Sequence, residues 1–338
     1  MDKIRGTAVA KGEAGQITQD ISASYIPIEV VKNICGHLLE KFKIQLVIPG
    51  LLLIDSPGHA AFITLRKRGG AVSDLAILVV DINQGFQEQT YESLAILKEY
   101  KTPFVVAATK IDKIQGWFSQ SKSFLENLSK QQSYVKDELD KKIYSLVSNL
   151  AEKGIESERF DRVTDFKKQV AIVPCSSLIG EGVPELLLML SGLSQQFLKD
   201  RLELSDIAKG SVLEIKEVRG LGTTIDVILY DGVIHKGDSL VIGGKEPIVT
   251  KVKSLLKPRD LQELRVEKQF ETLDQLEAAA GIKISAPNLE NVISGSPIIA
   301  VNPTEDVQPY VEEVQKEVEE VEFTKDIDGV AVEADSLG

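Results

Sequence analysis

Three stretches constrain this chain most: "LAILVVDI" (75–82), "FVVAATKID" (104–112) and "QVAIVPCSS" (169–177). Each is a short β-branched run without polar residues at alternate positions, so neither face of such a strand is suited to water. Between the first two lies "QEQTYESLAILKEY" (87–100), amphipathic with a helical period and closed by Lys101-Thr102-Pro103. Apolar strands alternating with helices predict a mostly parallel sheet covered on both faces. "IQLVIPGLLLID" (44–55) reads as two further strands around a Pro-Gly turn. A long polar segment, about 122–153, predicts an outer helix with heptad-like spacing. A last helix over 184–202 places Pro184 in its first turn, where the missing N–H has no intrahelical partner to lose.

The texture changes after residue 206. "KGSVLEIKEVRGLGTTIDVILYDGVIHKGDSLVIGG" alternates apolar and polar residues with period two, and Gly or Asp-Gly marks the reversals. That pattern predicts an antiparallel all-β module, a small barrel. A charged segment, 257–280, is expected to interrupt it before "AAGIKISAP" and "GSPIIAVNP" resume, and residues 307–322 read as an acidic helix. The expected domains are therefore 1–206 (α/β), 207–305 (β-barrel) and 306–338 (the acidic helix and the last residues of the sequence). A length of 338 residues agrees with two domains and a remainder.

Composition excludes more than it selects. With 39 basic and 51 acidic residues the formal charge is −12, so a nonspecific grip on nucleic acid by bulk charge is not expected. Cys35 and Cys175 form no CxxC pair and have no zinc spacing, which fits reduced thiols in a cytoplasmic protein. Neither a signal-peptide core at the start of the sequence nor a membrane-spanning run is visible.

In an open parallel sheet, ligands sit at the carboxyl ends of the strands. Three strands here end in polar clusters: Asp55-Ser-Pro-Gly-His59, Thr109-Lys110-Ile-Asp112 and Ser176-Ser177-Leu178. Read alone, Asp55 is a strand-end cap and His59 a surface histidine in a turn. "TKID" after a buried strand is more specific, because an aspartate there can accept both the N1 and N2 hydrogens of guanine, a pair that adenine does not offer. All three clusters in this order outweigh the separate bland readings.

Taken together, the chain resembles the translational GTPases, and within them the family of initiation factor 5B. "GEAGQITQDISAS" resembles the first switch of that family and "PGLLLIDSPGHAAFITLRKRGG" the second; "EVRGLGTTIDVILYDG" and "PIVTKVKSLLKP" are similar to its second domain. The resemblance implies a P-loop-GTPase-like α/β domain followed by a β-barrel, with the last residues opening a third domain. It implies GTP or GDP and Mg²⁺ as ligands. It also implies the small and large ribosomal subunits, initiator tRNA and other initiation factors as partners, with no membrane and no DNA.

Roles follow from the resemblance one residue at a time. Thr18 and Asp55 match the Mg²⁺-holding threonine and aspartate. Gly58 matches the residue whose N–H meets the γ-phosphate, with Asp55 and Pro57 also among the GTP-binding residues, and His59 the residue that orients the attacking water. Lys110 would lie along the base and ribose, Asp112 would read guanine, and the backbone of Ser177 would meet its O6, with Thr109, Ser176 and Leu178 also among the GTP-binding residues. Thr109 stands where the family usually has asparagine, Gln16 replaces a switch glycine, and Asp20 stands where histidine is common. No GxxxxGK[ST] motif occurs within the 338 residues, so the phosphate cradle and the strand that carries it are expected to be missing from this stretch of sequence. Two expectations from different classes result: a GTPase initiation factor, and a nucleotide-incompetent module that binds the ribosome. Contacts to the ribosome would fall to local clusters such as Arg66, Lys67 and Arg68, or Lys251, Lys253 and Lys257.

Overall fold

The computed structural model describes residues 2–5, 22–55, 73–197, 205–218, 220–258 and 270–322. These divide into two compact units. One holds 2–5, 27–51 and 73–197; the other holds 22–26, 52–55 and the described residues from 205 onward. Two strands precede the parallel sheet in sequence, β1 (Ser22–Pro27) and β2 (Gly50–Asp55), and they pair with each other in a sheet of two. Helices α1 (Asp2–Arg5), α2 (Ile28–Cys35) and α3 (His37–Phe42) flank them in the chain. Of the two strands expected over 44–55, only the second forms. Residues 44–49 are held instead by one glutamine: Gln195 accepts from the Val47 N–H at 2.8 Å and donates to the Gln45 carbonyl at 2.7 Å. Leu46 and Ile48 are buried there without needing a ladder.

The first unit is built on a four-stranded parallel sheet. Its strands are β3 (Ala76–Asp81), β4 (Phe104–Thr109), β5 (Ser157–Arg159) and β6 (Val170–Pro174), in the order β3-β4-β6-β5. Helix α4 (Glu88–Glu99) links β3 to β4 as expected, opened by a hydrogen bond from the Gln87 N–H to Thr90 Oγ1 (3.2 Å). The polar segment expected as one helix is two, α5 (Phe124–Lys130) and α6 (Ser133–Glu152), broken at Gln131-Gln132. Its outer position holds: Tyr134, Lys141, Tyr144 and Ser148 of α6 are exposed, while Val135, Leu139, Ile143, Leu146 and Leu150 are fully buried at spacings of three and four, one helical face turned to the core. Helix α7 runs Val183–Phe197. One expectation about β3 fails. Val79 is 62% exposed, its outward side chain having no second layer over it among the described residues.

The second unit contains the predicted β-rich, antiparallel domain. Its strands are β7 (Ala208–Val218), β8 (Gly222–Asp231), β9 (Val233–His235), β10 (Ser239–Ile242), β11 (Ile248–Lys251), β12 (Ser254–Pro258), β13 (Phe270–Leu273), β14 (Gln275–Glu277), β15 (Ala280–Ser285) and β16 (Pro297–Val301). Eight form one sheet in the order β11-β10-β16-β7-β8-β15-β12-β13, and β9 pairs with β14. The charged segment over 257–280 is therefore not a plain interruption, since it contributes β13 and β14. Period-two alternation splits the sheet cleanly. Leu240, Ile242, Ile298 and Ala300 enter one core with Val227, Leu229, Ile282 and Ile284. Val241, Ile299 and Val301 face the other way and are covered by Val314. That residue lies on α8 (Gln308–Glu322), the acidic helix, which is tied to β7 by Lys209 Nζ donating to Glu313 Oε1 at 2.6 Å. Among the described residues, no helix is long and apolar enough to cross a membrane.

Candidate functional site

Parallel register brings the expected strand ends together. Asp81 stands opposite Thr109 at the ends of β3 and β4, and Ala108 stands opposite Pro174 at the end of β6. Backbone bonds continue the alignment beyond the strands: Ile82 N–H to the Thr109 carbonyl (3.1 Å), Cys175 N–H to the Ala108 carbonyl (2.8 Å) and Ile111 N–H to the Cys175 carbonyl (3.4 Å). Thr109-Lys110-Ile111-Asp112 and Ser176-Ser177-Leu178 are thereby neighbouring loops at the carboxyl edge of one sheet, the place where such sheets present ligands.

The first loop is turned by Lys110, whose φ of +64° is left-handed, and continues as a 3-10 turn over Ile111–Lys113. Buried Ile111 anchors that turn, leaving Asp112 half-buried. The Asp112 carboxylate accepts no hydrogen bond among the described residues and so presents two free acceptor oxygens. Thr109 is engaged otherwise, its hydroxyl donating to the Val80 carbonyl (3.0 Å) and pinning β4 to β3. Lys110 Nζ lies 2.8 Å from Asp81 Oδ2. Burial alone would raise the Asp81 carboxyl, but the hydrogen bond from Lys110 and that from the Asn83 N–H (2.9 Å) outweigh it and hold it below the usual aspartate value. Asn83 also donates to the Lys110 carbonyl at 3.0 Å, steadying the strained residue.

The second loop is closed by two backbone bonds, Gly180 N–H to the Ser176 carbonyl and Ser176 N–H to the Glu181 carbonyl, both 2.8 Å. Ser177 and Leu178 are exposed, and their N–H groups donate to no acceptor among the described residues. Lys3 of α1 donates to the Leu178 carbonyl (3.1 Å). Chemically, the two loops combine a carboxylate acceptor pair with outward N–H donors, the complement of a flat heterocycle carrying adjacent N–H groups and a carbonyl.

Asp55 ends β2, half-buried, in the unit that holds the antiparallel sheet. Thr18, Pro57, Gly58 and His59 lie outside the described residues, as do Arg66, Lys67 and Arg68. In the second unit, Lys251 and Lys253 are exposed and Lys257 is partly covered, its Nζ 5.2 Å from the centre of the Tyr25 ring. Sequence reasoning passed over Asp81 and Asn83. A polar pair ending the apolar run "LAILVVDIN" was the available signal, of the same kind as the three clusters singled out. The two cysteines are buried and free, and burial, with Glu185 nearby, pushes both thiols up to about 12, so neither is poised for thiolate chemistry.

Comparison with known proteins defines the class. The profile described as "Elongation factor Tu GTP binding domain" matches residues 7–196, and "Elongation factor Tu domain 2" matches 222–299. The chain belongs to this family of translational GTPases. Within it, the likeness is to initiation factors. The "Probable translation initiation factor IF-2" of Methanopyrus kandleri is 54% identical over 343 aligned positions, covering 100% of this chain and 57% of that protein. The protein of the same description from Staphylothermus marinus matches at the same identity and coverage. Among solved structures, "Crystal structure of GDP-bound aIF5B from Aeropyrum pernix" superposes with a TM-score of 0.82 at 49% identity, covering 95% of this chain and 54% of that one. The chain thus spans a little over half the length of the relatives it matches. The resemblance read from the switch and barrel text, and the order of an α/β GTPase-like domain before a β-rich one, are borne out.

Proposed function

We propose that this chain carries the guanine-nucleotide site and second domain of a translation initiation factor that binds GTP and GDP with Mg²⁺ in the cytoplasm. One observation carries the reading: the free carboxylate of Asp112 and the free N–H groups of Ser177 and Leu178 share one sheet edge, a donor and acceptor pattern that suits guanine and not adenine. Lys110 would leave Asp81 to lie along the base. Thr18 and Asp55 would hold Mg²⁺, which would neutralise phosphate charge. Pro57 and Gly58 would meet the γ-phosphate, and His59 would orient the water that attacks it, giving GDP and phosphate. Phosphoryl transfer asks the protein mainly for positioning and charge stabilisation, so few side chains are needed. In the whole factor this cycle would promote joining of the small and large ribosomal subunits and placement of initiator tRNA, alongside other initiation factors.

A second reading keeps the fold and removes the nucleotide. The absence of GxxxxGK[ST] within the 338 residues favours it, because the base site alone supplies no phosphate cradle. The chain would then act only as a ribosome-binding module. Titration with fluorescent GDP and GTP in Mg²⁺, beside Asp112→Asn, separates the two. A guanine site predicts GDP binding that Asp112→Asn weakens while xanthosine diphosphate binding improves, since asparagine replaces one acceptor with a donor. Equal indifference of both forms to all three nucleotides would leave the module reading standing.

A further inference from the structure

Glu181 is fully buried at the end of the Ser176 loop, yet no expectation drawn from the sequence gave it a role. Its surroundings tie it to both guanine-facing loops. Its main-chain carbonyl accepts the Ser176 N–H at 2.8 Å, and its Oε2 accepts from Trp117 Nε1 at 3.1 Å. Trp117 is the only tryptophan in the chain and stacks on Phe124, with ring centroids 6.0 Å apart and planes 4° from parallel. From Trp117 the backbone returns to Asp112 through two successive tight turns, Trp117 N–H to the Ile114 carbonyl and Ile114 N–H to the Ile111 carbonyl, both 3.0 Å.

Glycines in the left-handed region flank Glu181 on both sides. Gly182 has φ of +75°, and a Cβ there would collide with the Pro174 carbonyl oxygen. Gly180, at +84°, is left-handed as well. Between these two glycines, the buried Glu181 side chain reaches Trp117 Nε1. Burial chiefly, with the negative charge of Asp112 added, raises its carboxyl above the usual glutamate value; the hydrogen bond from Trp117 acts in the opposite sense, and Oε1 has no hydrogen-bond partner among the described residues.

We propose that Glu181 is a positioning residue for base recognition, clamping the Asp112 loop to the Ser176 loop through Trp117. The inference rests on the guanine-nucleotide reading. On the strand side the two loops are joined by the Ile111 N–H to Cys175 carbonyl bond; on the far side Glu181 and Trp117 join them. Without the second tie, Asp112 keeps its anchor at Ile111 but loses the restraint that fixes its carboxylate relative to Ser177. The exocyclic amine of guanine, read only by the second oxygen of Asp112, is the contact that suffers first.

The test compares GDP with IDP, which lacks only that amine, by competition against fluorescent GDP. It uses the unsubstituted chain, Glu181→Gln and Glu181→Leu. Glutamine keeps an oxygen for Trp117 Nε1 and leucine does not. The unsubstituted chain and Glu181→Gln should prefer GDP equally. Glu181→Leu should lose about fivefold to tenfold of that preference, the scale of one hydrogen bond, and its tryptophan emission should shift to the red. If Glu181→Leu does not fold, Trp117→Phe removes the donor and is read by the same ratio. A purely structural role would weaken GDP and IDP together, and an unchanged ratio in Glu181→Leu or Trp117→Phe overturns the proposal alone. An unsubstituted chain that does not distinguish GDP from IDP sinks the guanine reading and this inference with it.

Discussion

Asp81 and Lys110, 29 residues apart, close the ends of two neighbouring parallel strands, with Nζ 2.8 Å from Oδ2. Lys110 is 45% exposed, so solvent screens the pair, and its contribution to stability is about 0.2–1 kcal/mol. The sign of its pH dependence follows from Asp81. A folded carboxyl held below the ordinary 3.8 contributes stability above that value and loses it as pH falls through the lower folded value. Asp81→Asn should therefore lower the urea midpoint slightly at pH 7 and pH 5, with the gap to the unsubstituted chain shrinking as the pH falls below 3.8. A gap that persists undiminished at pH 3 would mean the carboxylate charge is not what Asp81 contributes.

Gly182 passes too close to β6 for any side chain. Alanine would carry the left-handed backbone penalty and also displace the Pro174 carbonyl and Cys175. Gly182→Ala should cost roughly 2–5 kcal/mol, seen as a lowered chemical-denaturation midpoint. Gly154→Ala is the control: it shares a positive φ of 73° but meets nothing within 4 Å, and should lose only the backbone part, about 1–2 kcal/mol.

In the antiparallel domain, Lys283 and Asp226 are a buried, hydrogen-bonded pair, 4% and 2% exposed. Lys216 supports Asp226 more distantly, at 3.4 Å. Lys283→Met leaves the aspartate buried without its main partner and should destabilise by about 3–5 kcal/mol. Adding Asp226→Leu should recover most of that loss. A double variant as unstable as the single one would show that the pair is worth more than the hydrophobic residues replacing it.

Thr109, which by the resemblance would stand where asparagine is usual, spends its hydroxyl on the Val80 carbonyl. Thr109→Val keeps the shape and removes the bond, so it should cost about 0.5–1.5 kcal/mol in thermal or urea unfolding. If stability is unchanged while GDP affinity falls, the hydroxyl serves the nucleotide rather than the strand pairing.

Much of the fold was legible because its signals are local. Apolar runs at 75–82, 104–112 and 169–177 read as parallel strands without reference to any partner, and the alternation after 206 read as antiparallel. Failures came where partners decide. The apolar content of "LAILVVDI" suggested two covered faces, but among the described residues no second layer covers Val79, which is exposed. Polar spacing over 122–153 suggested one helix, yet the segment forms two, α5 and α6, broken at Gln131-Gln132. "IQLVI" looked like a strand, and Gln195, about 150 residues away, holds it in another form.

The same division runs through the candidate site. Sequence alone determined which residues stand at the strand ends, Thr109-Lys110-Ile-Asp112 and Ser176-Ser177-Leu178, because strand length and turn chemistry are set by neighbours along the chain. Only the tertiary structure decided what those residues touch. Lys110 meets Asp81 across 29 positions, and Trp117 meets Glu181 across 64. Parallel strands are joined by crossovers, so residues that share a sheet edge are far apart in sequence, and no local pattern records which carboxylate will face which donor.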